Sequence, residues 1–379
     1  MTYILAALVT GSLVYYVLVI VAARKYLAAA PVHSSQTFPA ISILKPLHGL
    51  DDGLEQNLRS FFEQDYPHFE ILLAFRTADD AAYSLVKQIC ERYPKVPSRI
   101  LLGGEPPWPN AKVWSLDLMM KAAANDLLVM SDSDIRVTSS MLRVIAAEFA
   151  DQKLGVTTCP YRAVPGKSFW SKLEALGMNT EFLGGIVVAR MLEGMRFAVG
   201  PTIAARRSVI EAIGGWDLLR QYLAEDFVLG QFAAEAGHGV ALSSYVVEHR
   251  IGSEPLKTNA LHRIRWNRST RRSRPAGYVG QLFTNPLPLV LLLVLWAPGL
   301  WPVLVLTAVV RAGAGAATAS AILKDPLSRR LWFLVPLQDL ASFVFWVAGF
   351  FGNTIVWRGI SYKLLADGKF ELLAGGRKH

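Results

Sequence analysis

Tyr3–Ala23 is a run of 21 uncharged, mostly apolar residues, closed off at once by Arg24 and Lys25. As a helix rising about 1.5 Å per residue it would cover about 31 Å, roughly the hydrocarbon depth of a bilayer. No water reaches backbone N–H and C=O groups there, so a lone run must bond its own backbone and be helical. A secretory signal carries its positive charge before a shorter apolar core. Here the charge follows a longer one, which predicts a retained anchor over residues 1–25 with its C-terminal end on the cytoplasmic side.

Two later tracts repeat the pattern. Pro286–Val310 has 25 uncharged residues interrupted by Ala297-Pro298-Gly299, with a second arm over Trp301–Leu323. Trp332–Trp357 carries Asp339 as its one charge, tryptophans at both ends and Arg358 just beyond. Three or four spans are expected. Pro336 and Asp339 alternatively place the first part of the last tract at the interface. The glycines and alanines at 312–319 suit close helix packing in lipid. The net charge of +9 is concentrated: no acidic residue lies between Glu254 and Asp325, and six arginines fall within Arg263–Arg274. Placed beside a long apolar stretch, that block predicts an anionic membrane surface or an anionic substrate as partner, and no nucleic acid. Cys90 and Cys159 make neither a disulfide framework nor a zinc spacing, which fits a reducing compartment.

Between the apolar ends the pattern changes to alternating strands and helices. Residues 26–39 read as a linker. Strands are expected at Ala40–Leu44, Phe69–Phe75, Arg99–Leu102 and Leu127–Met130, with helices over Leu54–Phe62, Ala81–Tyr93 and Val113–Ala124 between them. This alternation predicts an α/β, Rossmann-like domain over 40–280 with a mostly parallel sheet covered on both faces. Transmembrane or interfacial helices follow over 281–360, then a tail over 361–379. Ligands of such sheets sit at the carboxyl ends of the strands, where Lys45, Asp79, Asp80 and the pair Asp132 and Asp134 fall. Asp132-Ser133-Asp134 ends the fourth strand. Carboxylates at i and i+2 point the same way and can share one hard divalent cation, although a solvated turn or helix cap gives the same pattern.

Five stretches carry a resemblance: Ile43-Leu44-Lys45-Pro46-Leu47-His48-Gly49, Phe61-Phe62-Glu63-Gln64-Asp65-Tyr66-Pro67, Asp79-Asp80, Asp132-Ser133-Asp134 and Ala224-Glu225-Asp226. The last is preceded by Arg207–Trp216, of the Arg-x-x-Ile-x-x-x-Gly-Gly type. A sixth element, His262-Arg263-Ile264-Arg265-Trp266, has histidine where the family has glutamine or arginine. In this order and between these apolar segments, the chain resembles the ceramide glucosyltransferase-like membrane glycosyltransferases. These are of the GT-A type, family 21, related to family 2, and bacterial hopanoid N-acetylglucosaminyltransferases are close relatives.

The resemblance implies an inverting transfer of one hexose from a UDP-sugar to a hydroxyl of a membrane lipid, at a bacterial inner membrane with the catalytic domain cytoplasmic. A ceramide-type acceptor with UDP-glucose leads; UDP-N-acetylglucosamine transfer to a hopanoid polyol is the near alternative, and a processive polysaccharide synthase a distant one. A lipid-binding scaffold without chemistry also stands. Asp226 is the implied catalytic base, with Glu225 able to tune it by like charge. Asp132 and Asp134 would hold Mg²⁺ or Mn²⁺ against the donor diphosphate. Lys45, Asp79, Asp80, Lys112, Asp132, Glu225, His262, Arg265 and Trp266 are the implied donor contacts. For Lys112 an exposed helix lysine is the equal alternative. The remaining arginines of the block are expected on lipid headgroups, while His48 and His249, lacking metal-ligand spacing, read as structural.

Overall fold

The structure, a computed structural model, describes residues 1–29, 38–357 and 359–377. Most of the expected linker, and Arg358, lie outside the described residues. The chain folds as two compact units. One comprises Pro31–Tyr161 and Met195–Arg250, the other Met1–Ala30, Arg162–Gly194 and Ile251–His379.

The first unit is built on a seven-stranded sheet: β1 (Ile41–Pro46), β2 (Phe69–Phe75), β3 (Ser98–Leu102), β4 (Leu127–Ser131), β5 (Leu154–Thr158), β6 (Thr202–Arg206) and β7 (Gly239–Leu242), in the order β3-β2-β1-β4-β6-β5-β7. The four expected strands are mutually parallel, and β6 runs antiparallel to both β4 and β5. Strands covered on both faces need apolar residues throughout, and Leu127–Ser131 is buried at every position. Helix Ala111–Ala122 lays Val113, Leu116, Met119 and Met120 into the same core as Leu44, Leu72 and Leu128. Strand order reverses direction between β1 and β4. A crevice therefore opens at their carboxyl ends, beside Lys45 and Asp132.

Helix Glu225–Glu235 is seated by a glycine. A Cβ on Gly230 would stand 2.1 Å from the Ala198 amide nitrogen and 2.4 Å from the Phe197 carbonyl carbon. Backbone cannot rotate away from such a contact, so Gly230→Ala must push the helix off. We expect a loss of about 3 kcal/mol, read as a lower melting temperature.

Among the described residues of the second unit three helices are long and apolar enough to cross a membrane: Thr2–Ala28, Pro298–Ile322 and Trp332–Gly349. Pro275–Thr284 and Pro286–Trp296 form a pair bent by 58°, which makes a fourth if it is one broken span. Phe169–Glu193 runs on as helix through a π turn at Met178–Phe182. The last tract differs from expectation. Its helix stops at Gly349, and Thr354–Trp357 instead pairs antiparallel with Ile360–Leu364, which pairs with Phe370–Arg377 in a three-stranded sheet. Gly352, at φ +77°, turns the chain, and Trp357, Tyr362 and Phe370 pack their rings together. Apolar count alone could not separate this sheet from a longer helix.

Candidate active site

The first unit brings six of the expected residues together. Asp132 follows β4 directly. Its amide donates to the Pro201 carbonyl at 2.9 Å, a contact set by the β4–β6 pairing of Ser131 with Thr202. Lys45 supports the same turn from inside the protein. It is fully buried, and its Nζ donates to the Asp132 carbonyl at 2.5 Å and lies 3.8 Å from the centre of the Phe61 ring. Burial pushes its ammonium down to about 7, against the pull of Asp132 and Asp134. All of its contacts are within the protein core, beneath the carboxylates.

Lys112 connects two elements distant in sequence. Asn110 caps its helix, Oδ1 accepting from the amides of Lys112 and Val113 at 3.1 and 3.2 Å. The Lys112 ammonium then lies 2.7 Å from Asp132 Oδ1 and 3.0 Å from Glu225 Oε1. Burial works against this charge, but Asp132, Glu225 and Asp226 together hold its pKa well above that of an ordinary lysine. Asn110 Nδ2 also donates to Glu225 Oε2 at 3.2 Å and to the Tyr222 carbonyl at 3.0 Å, fixing the start of helix Glu225–Glu235.

Asp226 is the next residue of that helix. Its Oδ2 accepts from the Gly200 amide at 2.5 Å. Burial, and then the Glu225 charge, push its carboxyl up to about 6 despite Lys112. Asp132 is also raised, by burial, against the pull of Lys112. Asp134 goes the other way. Burial would raise it, but His249, with Nε2 3.1 Å from Oδ2, and the two lysines hold it below the usual carboxylate range. Lys112, Gly200, Pro201, Trp216, Glu225 and Asp226 line one small pocket over this cluster. Carboxylates with opposed shifts side by side mark this cluster as a candidate functional site.

The donor set suits a hard cation in one respect. Asp134 Oδ1 is buried without a hydrogen-bond partner, two residues from an Asp132 oxygen that already attracts an ammonium. Among the described residues no group of three or more His, Cys, Asp or Glu side chains could hold a metal. A cation here would therefore complete its shell with oxygens from a ligand.

The family model for glycosyl transferase family 21 matches residues 3–370. The chain belongs to that family. Ceramide glucosyltransferase 3 of Caenorhabditis elegans is 30% identical over 223 residues, 58% of this chain and 48% of the relative. Ceramide glucosyltransferase 1 of the same organism is 29% identical over 216 residues, 56% and 46% of the two chains. The aligned regions thus span about half the length of these relatives. Among solved structures, the mannosyltransferase PcManGT of Pyrobaculum calidifontis, in complex with GDP-Man and Mn²⁺, superimposes with a TM-score of 0.55 over 92% of this chain and 97% of that one, at 18% identity. That likeness supports the GT-A-like fold.

Of the other expected residues of this family 21 chain, Asp79 and Asp80 lie in the first unit and His262, Arg265 and Trp266 in the second. Asp80 accepts from the Gly49 amide at 3.0 Å and the Ala82 amide at 2.9 Å, tying the turn after β1 to the helix Tyr83–Arg92, whereas Asp79 is exposed. In the second unit His262 and Trp266 lie with ring centres 4.4 Å apart and planes inclined by 56°, and the Arg265 guanidinium lies over Trp357. Arg263 is buried against Phe345 and donates to Ser342 Oγ at 2.9 Å. Arg268, Arg271 and Arg272 donate to Thr354, Phe350, Gly352 and Asn353, closing the end of the last long helix.

Sequence reasoning missed Asn110, Gly200 and His249. The cap position of Asn110 was visible just before an expected helix. His249 carried no such signal, because only the pairing of Ile135–Arg136 with Val247–Gly252 sets it beside Asp134.

Proposed function

We propose that this chain is an inverting glycosyltransferase that moves one hexose from a UDP-sugar to a hydroxyl of a membrane lipid, with Asp226 as the base. The observation that carries the reading is the Lys112 bridge: one ammonium joins a strand-end aspartate to the helix that bears a half-buried carboxylate raised to about 6. In this mechanism Asp226 takes the proton of the acceptor hydroxyl, whose oxygen attacks the anomeric carbon from the side opposite the leaving diphosphate. The C–O bond to the diphosphate breaks as the new one forms, which inverts the centre. Lys112 neutralises charge beside the leaving group, while Lys45 and His249 hold the Asp132–Asp134 turn in shape. Asp132 and Asp134 are the residues that would hold Mg²⁺ or Mn²⁺, which, when bound, offsets the charge of the diphosphate. PcManGT in complex with GDP-Man and Mn²⁺ supports the use of a divalent cation.

Relatives named ceramide glucosyltransferases favour a ceramide-type acceptor and UDP-glucose. The test is purified protein in detergent with UDP-glucose or UDP-N-acetylglucosamine, each offered ceramide or a hopanoid polyol. Glucosylceramide is the expected product, and EDTA should suppress it by more than tenfold until Mn²⁺ or Mg²⁺ is restored. A hopanoid product would keep the transferase reading and change its acceptor. No sugar transfer in any combination would defeat it.

A further inference from the structure

Position 262 departs from the motif, and what holds its histidine is a carboxylate that no motif names. Glu174 lies on the helix Phe169–Gly177 with only 5% of its surface exposed, between the buried residues Leu173 and Ala175. Its Oε2 accepts from Asn259 Nδ2 at 2.6 Å, and its Oε1 lies 3.1 Å from His262 Nδ1. Asn259 and His262 are three residues apart on the helix Leu256–Ser273, so they share one face. A buried carboxylate is costly unless its oxygens are bonded. Here both are bonded, and both to the motif helix.

An ionised carboxylate can only accept, so beside an ionised Glu174 the Nδ1 of His262 carries the proton. The same ring packs on the Trp266 indole at 4.4 Å with the planes inclined by 56°. A hydrogen bond at one edge and an indole against the face leave the imidazole a single orientation.

We propose that Glu174 is a positioning residue for the His262–Trp266 element. It fixes the tautomer and plane of His262 and, through that ring, braces the Trp266 indole. The role rests on the transferase reading above. A family member with glutamine or arginine at this position brings its own N–H group; histidine needs a partner to set which nitrogen is presented.

The test is a double-mutant cycle on the full chain in detergent, using Glu174→Leu, His262→Ala and the pair, with Glu174→Gln as the conservative variant. Glu174→Leu and His262→Ala should each lower kcat/KM for the UDP-sugar by about thirtyfold. The pair should be no worse than His262→Ala alone, and Glu174→Gln, which keeps an acceptor oxygen, should retain most activity. Multiplying losses in the pair would overturn the proposal. So would a Glu174→Leu protein that melts earlier yet keeps its kcat/KM while folded. A wild-type protein inert toward every nucleotide sugar is a different result: it defeats the transferase reading, and this role with it, before any variant is compared.

Discussion

Asp226→Asn should leave a folded protein whose transfer rate is lower by roughly 10²–10⁴-fold, the contribution usual for a positioned base. Asparagine keeps the size of the side chain and can still accept from the Gly200 amide, so the loss reports the missing base rather than a collapsed helix. The pH profile gives a second check on the same residue. A base must be deprotonated to act, and Asp226 is pushed up to about 6 by burial and by Glu225. The wild-type kcat/KM should therefore rise about tenfold per pH unit below about 6 and level off above it. Glu225→Gln removes the neighbouring negative charge and should move that limb to lower pH. A wild-type profile flat from pH 4.5 to 7.5 would rule Asp226 out as the base.

Arg311→Met should be the most destabilising single change in the membrane-helix unit. The Arg311 side chain is 2% exposed and that of Asp339 0%, in helices long and apolar enough to cross a bilayer. The pair is bidentate: Nε donates to Oδ2 at 3.0 Å and Nη2 to Oδ1 at 2.9 Å, while Nη2 also reaches Thr180 Oγ1 at 3.1 Å. The guanidinium stands 5.0 Å from the centre of the Tyr16 ring, so the contact gathers side chains from four helical segments. Removing one partner leaves a buried charge without its counter-ion, at about 3–5 kcal/mol. Replacing both by apolar residues of similar volume leaves no such charge. Arg311→Met with Asp339→Leu should thus melt close to wild type in detergent, well above Arg311→Met alone. If the double variant melts as low as the single one, the cost lies in packing and not in the orphaned charge.

This pair also marks a limit of reading the chain as a string. Asp339 stood out as the one charge in Trp332–Trp357 and was compatible with an interfacial position. Its partner is 28 residues away on another helix, and pairing carries both into the bundle. Arginines 268, 271 and 272 carry the same lesson. Their density in sequence pointed to lipid headgroups, yet in the fold they donate to carbonyls and an amide oxygen at the end of the last long helix.

Much was nevertheless legible beforehand, for local reasons. Four short apolar runs separated by helical spacing became four parallel strands, because burial on both faces demands uninterrupted apolar side chains. Gly214 and Gly215, both at positive φ, follow the helix Arg207–Ala212. Asp132 and Asp134 could be picked out from their place at a strand end, whereas Glu225 and Asp226 came from the resemblance to the family.

Other relations depend on contacts between residues far apart in the chain, which no local pattern encodes. The β4–β6 pairing brought Pro201 and Gly200 to the carboxylates, and the strand Val247–Gly252 brought His249 to Asp134. The Lys112 ammonium joined residues 20 and 113 positions beyond it. Sequence alone determined the four parallel strands, the helices between them and the membrane-length helix near the N-terminus, because those follow from periodicity and apolar content within a few turns of chain, whereas it did not separate the strand Thr354–Trp357 from helix. Only the tertiary structure decided which charges face one another, and hence which carboxylate is raised, because burial and Coulomb interactions act through space.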